Sequence, residues 1–328
     1  MPTPPIVIVG TGLAGYTLAR EFRKLDPDTP LTIISRDAGG FYSKPMLSNA
    51  LAANKSAAAL VTRTATQMAE ELRVEMLTHT AVADIDPAGG LIWLSDGRPL
   101  AFQKLVLAWG ADPVRLPLAG GGAENVVSVN DVDDFARFSE RLASARRVAI
   151  LGAGLIGCEF ANDLLSRNIE PIVIDPAEWP LSRLLPAAAG QYLAGALGKA
   201  GVDFRWRVSA QAVDRVGHGF SVALSDHSRI EADLVLSAVG LRPRTEVAAR
   251  AGVACNRGIV TDRHLETSRP NVYALGDCAE VAGLNLPFVL PLMQQARALA
   301  RTLAGVPTEV AYPVMPVVVK TPACPTVV

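Results

Sequence analysis

The stretch that decides the fold is Ile6-Val7-Ile8-Val9-Gly10-Thr11-Gly12-Leu13-Ala14-Gly15, close to the start of the chain. A run of β-branched residues is typical of a buried strand, and the G-x-G-x-x-G pattern after it is typical of a tight turn that opens a helix. Backbone N–H groups at the start of such a helix bind the pyrophosphate of a dinucleotide. The stretch therefore predicts a strand, a turn, a helix and a dinucleotide site.

The same pattern occurs again at Val148-Ala149-Ile150-Leu151-Gly152-Ala153-Gly154-Leu155-Ile156-Gly157. One copy is a weak signal, but two copies at domain spacing predict two dinucleotides held face to face, and hence electron transfer between them. The residues predicted to line the two sites are Gly10, Thr11, Gly12, Leu13, Ala14 and Gly15 in the first copy and Gly152, Gly154, Leu155, Ile156 and Gly157 in the second.

The order of the predicted elements gives the fold class. Strands alternate with helices after each glycine pattern, which favours α/β architecture with parallel sheets. The strands at Leu105 and Leu234 both begin Leu-Val-Leu and end at a glycine, Gly110 and Gly240, which indicates two halves built alike. We predict two Rossmann-like domains of the three-layer ββα type. The first is discontinuous, over 1–112 and 242–318, and the second, 113–241, is inserted in it.

Residues at the ends of later strands predict how each nucleotide is held. In the second copy, Asp175 ends the second strand, where a carboxylate accepts hydrogen bonds from ribose hydroxyls and repels a 2′-phosphate, so NADH is favoured over NADPH. In the first copy this position is Ser35, followed by Arg36 and Asp37, so no acid lies at the usual place and we expect Ser35 or its neighbours, such as Arg36, to meet the ribose instead. Gly276 and Asp277 follow a buried strand, where an Asp can accept a hydrogen bond from the ribityl chain of a flavin.

Composition excludes several classes of function. Lys and Arg number 31 and Asp and Glu 32, for a net charge of −1, so no global field favours nucleic acid or an acidic membrane surface. The N-terminus lacks a signal peptide, and the longest uncharged stretch, 281–296, contains prolines and amides, so we expect a cytoplasmic protein without membrane insertion.

The cysteines also narrow the chemistry. The chain has four, none in a C-x-x-C pair, which makes a disulfide framework or a metal site unlikely. Enzymes that pass electrons through a flavin-side thiol need a cysteine after the second strand, and the segment 42–47 has none. We therefore expect electrons to leave directly from the flavin to an acceptor.

Six segments together resemble the rubredoxin–NAD reductase family, a branch of the pyridine nucleotide-disulfide oxidoreductase superfamily, over essentially the whole chain. They are Gly10 to Tyr16, Tyr42 to Ser48 (YSKPMLS), Leu151 to Phe160, Ala238 to Pro243 (AVGLRP), Tyr273 to Glu280 (YALGDCAE) and Val319 to Pro325 (VKTPACP).

This resemblance implies FAD in the first domain and NADH in the second. It implies a catalytic ion pair between Lys44 and Glu159 beside the flavin N5, where the hydride arrives. Lys320 and the start of the helix near Pro291 are expected at the pyrimidine end of the flavin ring, where positive potential is favourable. The other site residues that the resemblance implies are Pro45, Ala108, Trp109, Gly110 and Gly240, with Val82 near the adenine and Val289 near the flavin.

The function implied is electron transport, in which NADH reduces rubredoxin through FAD, as in alkane hydroxylation. The nearest alternative is a reductase for the [2Fe–2S] ferredoxin of an oxygenase, and one from another class is a non-catalytic flavin-binding scaffold or NADH sensor. Members of the family continue past Lys-Thr-Pro-Ala-Cys-Pro into a small third domain, so we expect 319–328 to be the start of a C-terminal domain that is otherwise absent.

Overall fold

The computed structural model describes residues 3–328 of the chain. Within this range the strands are β1 Ile6–Val9, β2 Leu31–Ile34, β3 Glu75–Leu77, β4 Val82–Asp86, β5 Leu91–Leu94, β6 Pro99–Ala101, β7 Lys104–Leu107, β8 Ala111–Pro113, β9 Arg147–Leu151, β10 Glu170–Asp175, β11 Asp203–Trp206, β12 Ala210–Val216, β13 Gly219–Leu224, β14 Arg229–Ala232, β15 Leu234–Ser237, β16 Leu241–Pro243, β17 Ile259–Thr261, β18 Val272–Ala274, β19 Ala279–Val281, β20 Val318–Val319 and β21 Thr326–Val327. The α-helices are α1 Leu13–Leu25, α2 Ala57–Leu60, α3 Ala65–Leu72, α4 Val132–Leu142, α5 Leu155–Leu165, α6 Ala187–Ala200, α7 Glu246–Arg250 and α8 Val289–Leu303.

The chain divides into two compact units. The first unit comprises the residues up to Ser43, Val61–Asp112 and Arg242–Met315. The second unit comprises Lys44–Leu60, Pro113–Leu241 and Pro316–Val328.

The first unit contains a five-stranded parallel sheet in the order β18-β7-β1-β2-β3. Its central strand, β1, is buried along its whole length, which agrees with its unbroken apolar sequence. An antiparallel sheet, β4-β5-β6, and the helices α1 and α8 share one buried apolar cluster with these strands. Sheet and helices together are the Rossmann-like arrangement expected for this unit.

The second unit contains a four-stranded parallel sheet in the order β11-β10-β9-β15 and an antiparallel sheet, β12-β13-β14. Alternate residues of β9 and β10, Ala149, Leu151, Ile172 and Ile174, share a buried cluster with the antiparallel sheet. Because side chains alternate between the faces of a strand, the residues between them face the opposite side, where α5 packs on β9 and β10. The unit therefore has three layers, as predicted.

The observed division differs from the predicted domains in three segments. Residues 44–60, predicted to be part of the first domain, belong to the second unit, because the 3₁₀ helix Lys44–Asn49 packs on α5 and α4, and α2 packs on α4. Two segments at the C-terminus group with the second unit as well: 316–318, predicted to be in the first domain, and 319–328, predicted to start a separate domain.

Candidate functional site

Two glycines of the first G-x-G-x-x-G turn are required by packing. Gly10 has φ +123°, and a Cβ there would lie 2.3 Å from the carbonyl oxygen of Ala108. A Cβ on Gly15 would lie 1.9 Å from the carbonyl oxygen of Gly10. No side chain fits at either position without a shift of backbone, so these glycines hold the strand, turn and helix together.

The middle glycine of the first turn has a different environment. Gly12 is the N-cap of α1 and makes no side-chain cap. Among the described residues, no atom outside its immediate neighbours lies within 4 Å of the position of its Cβ. The space beside Gly12 is therefore open at a helix start without a side-chain cap, which fits an anion such as a pyrophosphate.

A buried hydroxyl chain lies beside this turn. The Thr11 hydroxyl contacts that of Ser35 at 2.6 Å, and Ser35 Oγ donates to Asp37 Oδ1 at 2.6 Å. Asp37 Oδ1 also accepts the N–H of Gly39 at 2.8 Å. The sequence predicted Ser35 or its neighbours at this place, and Asp37 brings a carboxylate there, two residues after the usual position.

The Gly276 turn lies against the same helix. Gly276 has φ +76°, and a Cβ there would lie 2.9 Å from the Cβ of Ala14. Its N–H donates to Gln295 Oε1 at 2.7 Å, and Gln295 Nε2 donates to the Tyr312 hydroxyl at 2.9 Å. The structure therefore brings the Gly276-Asp277 motif to the first glycine turn, and Gln295 and Tyr312 are supporting residues that the sequence analysis missed.

The other predicted residues of the first unit lie on separate elements. The Trp109 ring N–H donates to the carbonyl of Arg244 at 2.9 Å. An Arg36 nitrogen lies 3.8 Å from Asp112, with both side chains about half exposed. The remaining positions are Ala108, buried after β7; Gly110, at φ +75°; Val82, buried in β4; and Val289, exposed at the start of α8.

The second glycine turn repeats the geometry of the first. Gly152 has φ +104°, and a Cβ there would lie 2.8 Å from the carbonyl oxygen of Ala238, while a Cβ on Gly157 would lie 2.0 Å from that of Gly152. Gly154 caps α5 without a side-chain bond and, within the described chain, has open space at its Cβ position. The next residues, Leu155 and Ile156, are partly exposed, and Gly240 has φ +119°.

Asp175 lies at the end of β10, beside this turn. Its Oδ2 accepts the N–H of Ala153 at 2.6 Å, and its Oδ1 accepts the N–H of Ala177 at 2.7 Å. Each carboxylate oxygen has a second lone pair, so these bonds leave capacity for ribose hydroxyls. The carboxylate therefore orders the turn in addition to presenting acceptors.

A fully buried carboxylate lies further along α5. Glu159 has no exposed surface, and its Oε2 accepts a 2.5 Å hydrogen bond from the Ser48 hydroxyl. Lys320 contributes twice, because its backbone N–H donates to Oε1 at 3.0 Å and its ammonium forms an ion pair with Oε2. Burial strengthens such an ion pair and also makes it costly to break.

This network modifies the expectation for the two lysines. Lys320, expected at the pyrimidine end of a flavin, is bonded to Glu159 through both its backbone and its side chain. Lys44 begins the 3₁₀ helix Lys44–Asn49, which also carries Ser48. The ion pair of Lys44 with Glu159 stays a prediction. Ser48 is a partner that the sequence analysis missed, although it ends the motif quoted there.

Asp163 lies one helical turn after Glu159 and is also buried. It accepts the N–H groups of Leu51 at 2.9 Å and Ala52 at 2.8 Å, which fixes the segment 44–60 to α5. Burial raises the pKa of Asp163, and the nearby Glu159 acts in the same direction, against the opposing effect of the two N–H donors.

All four cysteines are free. Burial raises the pKa of Cys158 to about 12 and that of Cys278 to about 12. Both thiols contact backbone carbonyls, Ala153 for Cys158 and Leu107 for Cys278. Since the thiolate is the reactive form, these two side chains are inert at neutral pH.

Two parallel α/β units, each with an uncapped helix after a glycine turn, define the class as a protein with two dinucleotide-binding folds. The chain belongs to the pyridine nucleotide-disulphide oxidoreductase family, which matches residues 4–300. Residues 309–328 match the rubredoxin binding C-terminal domain.

The chain is similar to two curated proteins described as Rubredoxin-NAD(+) reductase. The one from Alcanivorax borkumensis is 50% identical over 99% of this chain and 85% of its own length, and the one from Acinetobacter baylyi is 47% identical over 98% and 84%. A solved ferredoxin reductase for the CYP199A2 system of Rhodopseudomonas palustris superposes with a TM-score of 0.89 at 27% identity, over 95% of this chain and 79% of that one. Across residues 3–328, no helix has both the length and the apolar character needed to span a bilayer.

Proposed function

We propose that this chain oxidises NADH and reduces rubredoxin through a bound FAD. The observation that carries the proposal is the pair of glycine turns, each leaving its middle glycine open at the start of a helix. The family, the two similar reductases and the rubredoxin-binding match at 309–328 support the choice of electron acceptor.

The chemistry that FAD supplies when bound is the conversion of a hydride into single electrons: the hydride of NADH is taken up and its two electrons leave one at a time to two rubredoxin molecules, with release of NAD⁺ and one proton. The protein holds the two nucleotides in order and contributes no nucleophile. Its role is therefore mainly one of proximity and electrostatics.

The first unit is proposed to hold FAD. The open N–H groups after Gly12 bind the pyrophosphate, and the chain of hydroxyls from Thr11 to Ser35, with Asp37 behind it, binds the ribose. Asp277 binds the ribityl chain, because the Gly276 turn lies against Ala14 on the same helix. The further contacts proposed are Arg36, Val82, Ala108, Trp109, Gly110 and Val289.

The second unit is proposed to hold NADH. The N–H groups after Gly154 bind its pyrophosphate, and Asp175 binds the ribose hydroxyls with the lone pairs left by Ala153 and Ala177. Leu155, Ile156 and Gly240 line the same turn.

Glu159 is proposed to set the charge near the nicotinamide. Three hydrogen-bond donors from Ser48 and Lys320 hold this carboxylate in place. Lys44 and Pro45 begin the same 3₁₀ helix as Ser48, so a fixed Ser48 also fixes the position from which Lys44 extends. In this role Glu159 and Lys44 orient the hydride donor and hold no proton of the reaction.

The test is reduction of purified rubredoxin by NADH in the presence of the FAD-loaded chain, with ferricyanide as the control acceptor. We expect bleaching of the flavin by NADH and turnover with rubredoxin that exceeds turnover with a [2Fe–2S] ferredoxin. Faster turnover with ferredoxin would favour the second candidate, which the similarity to a solved ferredoxin reductase supports. A yellow protein that NADH does not bleach would overturn both and leave a non-catalytic scaffold or NADH sensor.

A further inference from the structure

An exposed ion pair lies directly beside Asp175 in the second unit. Glu178 Oε1 is 3.0 Å from a guanidinium nitrogen of Arg207, and both side chains are more than half exposed. The backbone of Arg207 donates to the carbonyl of Ala177 at 3.0 Å, and Val208 donates to the carbonyl of Asp175 at 3.3 Å. The arginine is therefore fixed by its backbone to the same loop that carries Asp175 and Glu178.

The backbone at Arg207 is unusual for an arginine. Its φ of +61° lies in the left-handed region, where a residue with a side chain is strained relative to glycine. The residue before it, Trp206, pairs with Asp175 in the parallel register and stacks on Phe204 with ring centroids 4.6 Å apart. A rigid strand end thus presents a cation next to the expected ribose position, at a place where glycine would be less strained.

A guanidinium at the end of this loop is suited to bind a phosphate on the ribose. A 2′-phosphate carries about two negative charges and is best bound by a guanidinium, which can make two parallel hydrogen bonds to it. Asp175 repels that phosphate, and Glu178 adds a second negative charge while occupying the arginine. Because the ion pair is exposed, its own stability is small, so its main effect is on the charge that a ligand meets.

We propose that Arg207 is a 2′-phosphate site kept closed by Glu178, and that this pair, together with Asp175, sets the preference for NADH over NADPH. The inference rests on the proposed function, in which the second unit binds the nicotinamide dinucleotide. It adds a specificity-determining pair to Asp175: with Glu178 neutral, the same chain accepts a phosphorylated ribose better.

The test uses two soluble probes on FAD-saturated protein, so that the first unit is occupied. Calorimetry measures binding of 2′,5′-ADP, which carries the 2′-phosphate, and of 5′-ADP, which does not. Glu178→Gln is expected to bind 2′,5′-ADP about fivefold more tightly than the unaltered chain, with 5′-ADP changed by less than about twofold, in line with one charge in water-exposed surroundings. Glu178→Gln/Arg207→Asn is expected to lose the gain, and asparagine tolerates a left-handed backbone.

Glu170→Gln is the matched control. Glu170 pairs with Arg147 at 3.0 Å with similar exposure, but it begins β10 whereas Asp175 ends it. An equal gain with Glu170→Gln, no gain with Glu178→Gln, or a gain that survives Arg207→Asn would overturn the inference, and the last result would assign the phosphate to another cation. If the unaltered chain binds 5′-ADP and any of these contradicting results is found, only the inference about Arg207 and Glu178 fails. If it does not bind 5′-ADP, the proposed NADH site fails as well.

Discussion

Glu159 is the residue with the most demanding environment in the second unit. A buried carboxylate is costly unless its charge is balanced and both of its oxygens accept hydrogen bonds. Here the Ser48 hydroxyl, the Lys320 backbone and the Lys320 ammonium meet that demand. Side chain and backbone of Lys320 act together, so this carboxylate helps to hold the segment 316–328 in place.

The order of destabilisation among variants at this pair follows from which charge is left buried. Lys320→Ala removes the ion-pair partner of the buried Glu159 carboxylate and is expected to lower the free energy of unfolding by about 3 kcal/mol. Glu159→Gln leaves only the lysine, whose side chain is 23% exposed and can reach water, so the loss is expected to be smaller, about 1–2 kcal/mol. Urea unfolding measures both.

The double variant Glu159→Gln/Lys320→Ala is expected to be more stable than Lys320→Ala alone, since no buried charge then lacks a partner. Lys55→Ala, which removes an exposed lysine of the same unit, is the control. Equal losses for Lys55→Ala and Lys320→Ala would contradict the argument.

Some of these residues could be predicted from the sequence and others could not. Gly10 and Gly15 were predicted because their requirement is local: a turn with φ above zero and a close helix leave no room for a side chain. The partnership of Glu159 with Ser48 and Lys320 joins residues 111 and 161 positions apart. Neither partner differs in type from an ordinary surface residue, so the sequence holds no local signal for the pairing.

At the scale of elements, α5 holds two distant segments of the chain. Glu159 and Asp163 bond to 44–60, and Asn162 Oδ1 accepts the N–H of Ala323 at 3.0 Å. These positions are three and four residues apart and therefore share one face of the helix. The sequence predicted the helix from its glycine turn but placed 44–60 in the other domain, because carboxylates that accept backbone N–H groups carry no sequence signature of their own.

Element boundaries show the same limit. The sequence pattern over 61–72, taken alone, indicates a helix that begins at Val61, whereas α3 begins at Ala65. Thr64 starts it with a capping box, in which its hydroxyl accepts the N–H of Gln67 and the Gln67 side chain accepts the N–H of Thr64. Arg63 instead pairs with Phe41. The signature Thr-x-x-Gln stands in the sequence and could have given the correct start.

Asp163 gives α5 a pH dependence. Its pKa is raised in the folded protein, so as the pH falls from neutral the folded state takes up a proton before the unfolded state does. The unaltered chain is therefore expected to gain stability relative to Asp163→Asn as the pH falls from about 7 to about 4, where the unfolded carboxyl also becomes protonated. Urea unfolding of both proteins across this range measures the difference.

Asp233→Asn is the matched control for this pH series. Asp233 also accepts two backbone N–H groups, those of Arg146 and Arg147, but is exposed. If the unaltered chain gains no stability relative to Asp163→Asn as the pH falls, or loses stability relative to it, burial does not govern the pKa of this carboxyl.

At the scale of the whole molecule, each unit has its own glycine turn, and the glycines at matching positions of the two turns have the same surroundings. The outer glycines Gly15 and Gly157 are enclosed by backbone, whereas the middle glycines Gly12 and Gly154 face open space at φ values that any residue adopts. An added methyl group is therefore a packing fault in the outer positions and an obstacle to a ligand in the middle ones. Substitutions at the outer glycines are therefore expected to change stability, and substitutions at the middle glycines to change ligand binding.

Gly12→Ala is expected to weaken FAD binding by tenfold or more and to leave NADH binding to the second unit intact. Gly154→Ala is expected to keep a full complement of FAD and to weaken NADH binding by a similar factor. The reason in both cases is that overpacking costs about 1–3 kcal/mol. Both variants are expected to unfold within about 1 kcal/mol of the unaltered chain, because alanine is only a somewhat poorer N-cap than glycine. Gly15→Ala and Gly157→Ala are expected to lose about 3 kcal/mol of the free energy of unfolding.

Flavin absorbance after reconstitution measures FAD binding, titration with NADH measures NADH binding, and urea unfolding measures stability. Loss of FAD from Gly154→Ala with Gly12→Ala unaffected would reverse the assignment of the two nucleotides, and equal loss of both ligands in either variant would mean that the units do not bind them separately.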